Sequence, residues 1–258
     1  DKLLRRPWCF AHAVVSSREN TYFTRPEDAE ALRQRAYALA RLPPRRPLCA
    51  PLRACYFQRA AGGKANTGGW EGGPRTVANW PQVVGMMRTL VETIAPGGQV
   101  AIVRVNSSMT LVQQAAVFAS CDALASVHGS QNANVMFLRA GASFMEINPY
   151  KFYYSSYKHL SEVAGVRYLP SRENRIHTEQ MSRASLAQAE AFRRVYADKS
   201  DDWCQINGKC RKLARNFPTH VNLTSFAHEF AAGLLHAAQQ RKGCVEGTTG
   251  EGAARAVR

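Results

Sequence analysis

Acidic residues are scarce in this 258-residue chain: 19 Asp and Glu stand against 34 Lys and Arg, a formal net charge of +15. That shortage favours an anionic partner, whether nucleic acid, nucleotide, acidic polysaccharide or acidic membrane, and charge alone does not choose among them. No run reaches the roughly 20 uninterrupted apolar residues of a membrane helix. The best stretch, 111–127, is broken by Gln113, Gln114 and Asp122. None of the seven cysteines forms a C-x-x-C pair, which argues against zinc ribbons and thioredoxin-type redox sites. G-x-G-x-x-G is also missing, and the Gly-rich segment 62–73 is no phosphate loop, because Gly69 stands where Lys is required and no helix opens directly behind it. Neither initiator Met nor a basic-then-apolar leader opens the sequence at Asp1. The expectation is of a fragment, with any signal peptide or anchor upstream or absent.

Against these absences stand 45% hydrophobic and 9% aromatic residues, the balance of a folded globular protein. At about 150 residues per domain the length fits one and a half to two domains. Cys49/Cys55 and Cys204/Cys210 each enclose five residues. The second loop carries Asn207-Gly208, a turn signal, and is read as a disulfide. The alternative is a scatter of buried thiols in a cytosolic protein. Asn106-Ser-Ser108 and Asn222-Leu-Thr224 are candidate glycosylation sequons and add a little weight to a secretory reading.

Three parts can be distinguished. Residues 1–50, a partial N-terminal lobe or linker, hold one helix from Pro26 to Leu42, stopped by Pro43, Pro44 and Pro47. Residues 51–170 alternate strands at 54–57, 100–103, 123–127 and 143–147 with helices at 81–94, 110–120 and 131–138. That alternation predicts a parallel sheet covered on both faces, in the α/β class. Residues 171–258 form a helical extension containing a polar helix near 186–196 and the Cys204/Cys210 loop. It ends in a helix with Leu223, Phe226, Phe230 and Leu234 along one stripe.

Two segments carry candidate chemistry. Arg59 and Arg75 flank the Gly-rich loop at the carboxyl end of the first strand. The planar fork of Arg suits a diphosphate there, whereas two solvated arginines are the plain alternative. Further on, an apolar strand runs into His128-Gly129-Ser130. Ser130 is expected to cap a helix whose N-terminus points free N–H groups at an anion, with Gly129 allowing close approach and His128 adding a donor. A core histidine satisfied by its neighbours is the competing reading of His128.

The order Arg59, Arg75-Thr-Val-Ala-Asn79, Gln114, Phe118-Ala-Ser-Cys-Asp122, His128-Gly-Ser-Gln-Asn-Ala-Asn134, Phe137, Arg139-Ala-Gly141 and Glu146-Ile-Asn-Pro149 resembles glycosyltransferase family 61. That group includes plant xylosyl- and arabinosyltransferases and secretory-pathway O-linked N-acetylglucosaminyltransferases. The order and spacing agree over roughly a hundred residues, and the opening Cys9-Phe10 looks similar too. Two departures stand out: the second glycine of the family's His-Gly-Ala-Gly-Leu-Thr-Asn block is missing, and Arg139 replaces a proline.

The resemblance implies a Rossmann-like nucleotide-sugar-binding lobe of a two-lobed, GT-B-like transferase, incomplete at its N-terminus. It also implies inverting transfer of a sugar from a nucleotide diphosphate donor, read as a UDP-sugar, to a hydroxyl of a glycan or glycoprotein. No cofactor or metal is implied. The donor-binding residues would be Arg59, Arg75, Asn79, His128, Gly129, Ser130, Asn134 and Glu146, the last accepting from the ribose diol. The general base cannot be assigned. The Golgi or endoplasmic reticulum lumen is the implied compartment, with a membrane engaged only through an upstream anchor and no nucleic acid as partner. The competing classes are an inactive homologue kept for glycan binding, which the altered His-Gly block permits, and a basic nucleic-acid-binding protein. The dispersed arginines and the lack of a basic helix speak against the latter.

Overall fold

The computed structural model describes residues 25–43, 50–58, 76–105, 108–179 and 181–241. Helix α1 (Pro26–Leu39) leads into strand β1 (Arg53–Phe57), followed by α2 (Trp80–Ile94), β2 (Gln99–Val103), α3 (Leu111–Ala119) and β3 (Ala123–Val127). After a 3-10 turn over Ser130–Phe137 come β4 (Ser143–Ile147), α4 (Ser156–Val163) and β5 (Arg167–Ser171). The remainder is β6 (Arg175–Ile176), α5 (Arg183–Tyr196), α6 (Asp201–Ile206), α7 (Gly208–Ala214), β7 (Thr219–His220) and α8 (Leu223–Gln239).

β1 to β5 form one parallel sheet in the order β2-β1-β3-β4-β5. The three central strands are mostly apolar and buried on both faces, as a doubly covered sheet requires, with Ser126, Ser143 and Glu146 as buried polar exceptions. Side chains alternate between the faces. Ala54, Tyr56, Ala125, Val127, Met145 and Ile147 meet α2 and α8, while Cys55, Phe57, Leu124 and Phe144 meet the α3, 3-10 and α4 side.

α1 lies on that second side too. Its buried Arg33 donates to the carbonyls of Leu138 and Ala164 at 2.8 and 2.7 Å, and Tyr37 donates to Phe137 O at 2.7 Å. On the first side α8 presses close at Gly233, where an added Cβ would stand 2.6 Å from Leu169 Cδ1 and 2.9 Å from Ser143 Oγ. A third cluster joins Phe152, from the stretch between β4 and α4, to Ile176, Phe192, Tyr196, Cys204, Cys210 and Phe217, the core of the segment between β5 and α8.

The structure adds three strands to the four expected: β5 at the edge of the sheet, and the short antiparallel pair β6 and β7. β5 contains Pro170, which cannot donate to a sheet ladder and reads as a strand breaker. As the outer strand it has only β4 to pair with, and proline is tolerated at such an edge. Ser130–Phe137 forms a 3-10 helix with Gly129 at its cap and no side-chain cap, in place of the α-helix expected over 131–138 with Ser130 as its cap. Asn132 explains the change: its amide donates back to Val127 O at 3.2 Å and accepts from Ser126 Oγ at 2.7 Å. Such local bonds compete with α-helical geometry.

Cys204 is bonded to Cys210. The turn expected at Asn207-Gly208 is the junction of α6 and α7, where Asn207 caps the second helix by accepting from Cys210 N at 3.0 Å. Cys55 is bonded to Cys121, 66 residues away, because a central strand points Cys55 at the end of α3. Its equal-spaced neighbour Cys49 lies outside the described residues.

Candidate functional site

In the order β2-β1-β3-β4-β5 the chain leaves β1 toward one edge and β3 toward the other. The carboxyl ends of β1 and β3 therefore flank the switch point, the crevice where open α/β sheets take their ligands. Gln58 follows β1 and His128 follows β3. Arg104, just after β2, donates its Nε to Gln58 Oε1 at 2.9 Å. Arg59 and Arg75 lie outside the described residues, as does the sequon residue Asn106.

His128 is held more tightly than a loop residue. Its N–H donates to Ile147 O at 3.0 Å, extending the ladder one step past the strand. Its ring packs 4.4 Å from Phe152 and 5.4 Å from Tyr157, centroid to centroid. Nδ1 lies 2.6 Å from Glu146 Oε1. Only 7% of the residue is exposed.

Glu146 departs from the expected diol-gripping position. It is wholly buried within β4, and both oxygens are engaged. Tyr168 of β5 donates to Oε2 at 2.6 Å, and Asn132 Nδ2 reaches Oε1 at 3.5 Å. The reason is strand alternation. Glu146 shares the face of Phe144 and points under the 3-10 turn, so its carboxylate never reaches solvent beyond the strand end. Burial, and after it the Glu146 carboxylate, push the Tyr168 hydroxyl above the ordinary tyrosine range.

The remaining expected site residues are distributed differently. Gly129 is buried and extended, and Ser130 is exposed at the start of the 3-10 turn. Asn134 Nδ2 donates to Gln114 Oε1 of α3 at 3.0 Å, which ties the turn to its neighbouring helix instead of facing the crevice. Asn79 stands at the N-cap position of α2, buried, and its side-chain amide pairs with the backbone of Val221 instead of capping the helix. Its carbonyl oxygen and one amide hydrogen are thus spent on the fold. Asn222 caps α8, its Oδ1 accepting from Thr224 N and Ser225 N at 3.1 and 3.3 Å.

Sequence reading missed Tyr168, Asn132 and two residues on the same sheet edge. Asn148, one step past β4, is buried with Oδ1 unpartnered. Arg172, one step past β5, stacks 3.7 Å over the Tyr153 ring with its buried Nε unpartnered. Recognising β5 would have supplied the signal, since pairing Ile147 with Ser171 aligns Asn148 with Arg172. Among the described residues no three His, Cys, Asp or Glu side chains converge as a metal site.

A five-stranded parallel sheet flanked by helices, with its switch point between the carboxyl ends of β1 and β3, defines the class: an α/β protein with a Rossmann-like lobe. The model of the family described as Glycosyltransferase 61 matches residues 7–145, more than half of the chain. The protein belongs to glycosyltransferase family 61 and is a glycosyltransferase. No curated protein matches it. The two disulfides among the described residues fit an oxidising compartment, in keeping with the secretory pathway. Among the described residues no helix is long and apolar enough to cross a membrane.

Proposed function

We propose that the protein transfers a sugar, with inversion, from a UDP-sugar to a hydroxyl of a glycan or glycoprotein in the lumen of the Golgi or endoplasmic reticulum. The observation that carries this reading is His128 at the switch point of a family 61 chain, its ring backed by a buried carboxylate. In such a transfer the acceptor oxygen attacks the anomeric carbon from the face opposite the diphosphate. The carbon–oxygen bond to phosphate breaks, its electron pair departs on the diphosphate, and the acceptor's proton passes to a base. The described residues supply the leaving-group side. Charge developing on the diphosphate is met by fixed donors, which cost no reorganisation when the bond breaks.

His128 is one such donor, and the N–H groups at the start of the 3-10 turn are others. Arg59 and Arg75, which match basic positions of the family pattern, complete the clamp without a metal. The base belongs to a second lobe of a GT-B-like enzyme. A basic protein of this kind also draws anionic donors by its overall charge.

Calorimetric titration with UDP tests the donor site. His128→Ala, Arg59→Lys and Arg75→Lys should each weaken UDP binding about ten- to a hundredfold, the equivalent of one charged hydrogen bond, because a point ammonium does not replace a bidentate fork. Unchanged affinity in a variant removes that residue from the site. Turnover of UDP-sugars by the protein with its natural flanking sequence separates an enzyme from a glycan-binding homologue. Binding of a glycan without any donor hydrolysis or transfer would favour the latter.

A further inference from the structure

We infer that Glu146 and Tyr168 are positioning residues that fix which ring nitrogen of His128 meets the donor. The inference rests on the donor-site reading above and changes the role of Glu146 from ligand contact to support. A carboxylate wholly withdrawn from water is rare without a dedicated partner. Here donors surround it: the Tyr168 hydroxyl at 2.6 Å from Oε2, the Asn132 amide at 3.5 Å from Oε1, and His128 Nδ1 at 2.6 Å from Oε1. Tyr168 and Asn132 both spend hydrogens on the carboxylate, so it accepts. The proton between it and the imidazole then sits on Nδ1.

The ring cannot relieve this by turning over. A flip would place a carbon where Nδ1 meets Glu146 and leave a buried carboxylate oxygen short of its strongest donor. Phe152 and Tyr157 pack against the ring. The backbone of His128 is tied to β4 through Ile147 O, one residue from Glu146. Residue and support thus sit on the same strand pair and move together. Nε2 is left as the ring nitrogen that addresses a ligand at the carboxyl edge.

The benefit for the reaction is electrostatic. When the bond between sugar and diphosphate lengthens, negative charge grows on the leaving phosphate oxygen. A ring with hydrogen on Nε2 as well as Nδ1 donates to that oxygen, and its positive charge is balanced by Glu146 behind it. A hydrogen bond suffices, so His128 need not give up its proton, and the acceptor's proton still goes to the separate base. Orientation of an imidazole by a buried carboxylate is a general way to fix tautomer and direction.

The test begins with the tautomer. Nitrogen-15 correlation spectra of the labelled chain, with the His128 signals identified by their loss in His128→Gln, should show hydrogen on Nδ1 in the neutral ring. Glu146→Gln introduces an amide that can donate as well as accept, so the Nε2–H form should appear in the neutral ring. It also removes the charge that balances the doubly protonated ring, so UDP affinity should fall about tenfold, the lower end of the loss seen when the partner behind a metal-ligating histidine is removed. Tyr168→Phe removes one donor without touching the ring and should produce a smaller fall in the same direction. A wild-type spectrum with hydrogen on Nε2 would overturn the inference, as would a folded Glu146→Gln protein with unchanged tautomer and UDP affinity. Should Glu146→Gln fail to fold, the wild-type spectrum and Tyr168→Phe decide. Full UDP affinity in His128→Ala would instead sink the donor-site reading, while the spectrum would still report whether Glu146 sets the tautomer.

Discussion

Asn79 and Val221, 142 residues apart, exchange two hydrogen bonds: Asn79 Nδ2 donates to Val221 O at 2.9 Å, and Val221 N donates to Asn79 Oδ1 at 2.8 Å. One side-chain amide thus completes a ladder step between the start of α2 and the start of α8. Thr219 continues it by accepting from Ala78 N and donating to Thr76 O, both at 2.8 Å. The C-terminal segment is thus fastened to residues 76–79, at the entry to α2.

Replacing Asn79 by Ala should destabilise the protein by about 2–4 kcal/mol, since a buried N–H and a buried C=O each lose their partner. Urea unfolding measures this. A folded variant of wild-type stability that no longer binds UDP would restore Asn79 to the ligand site.

The Cys55–Cys121 and Cys204–Cys210 disulfides should differ in weight. Closing the 66-residue separation of Cys55 and Cys121 should stabilise by about 4 kcal/mol on the chain-entropy relation, against about 2 kcal/mol for the six-residue separation of Cys204 and Cys210. Unfolding of Cys→Ala pairs gives the ranking. Peptide mapping without reduction should recover Cys55 linked to Cys121, and a Cys49–Cys55 peptide would contradict the fold.

Gly233→Ala should lower stability even though alanine is the better helix former by about 1 kcal/mol. The new methyl would stand under 3 Å from side-chain atoms of Leu169 and Ser143, both buried. A gain in melting temperature would mean that α8 lifts from the sheet at little cost.

Alkaline pH should expose the buried tyrosines. Burial holds the Tyr37 hydroxyl up at about 12 and raises those of Tyr56 and Tyr168 still further. These groups ionise later in the folded state than in the unfolded one, so their contribution is fully present below about pH 10 and is lost as pH rises beyond it. Absorbance at 295 nm should show the three titrating only with unfolding, in step with loss of circular dichroism. Reversible early ionisation of Tyr168 would contradict its bond to Glu146.

The sequence by itself determined four of the sheet's five strands and most of the helices that cover it. Period-two and period-3.6 patterns are local, so Ala123–Val127, Ser143–Ile147 and the stripe of Phe226, Phe230 and Leu234 could be read without partners. The run from strand into His128-Gly129-Ser130 likewise marked the carboxyl end of a buried strand. Only the tertiary structure decided what these side chains do there. Whether Glu146 faces a ligand or a neighbour depends on which face of β4 is turned toward the 3-10 turn. Its second partner, Tyr168, lies on a strand that Pro170 hides from local reading. Asn79 and Asn134 match a family pattern in sequence, yet they spend their amides on Val221 and Gln114. A polar side chain takes the nearest unpaired group once burial has excluded water, and chain folding alone brings that group within reach.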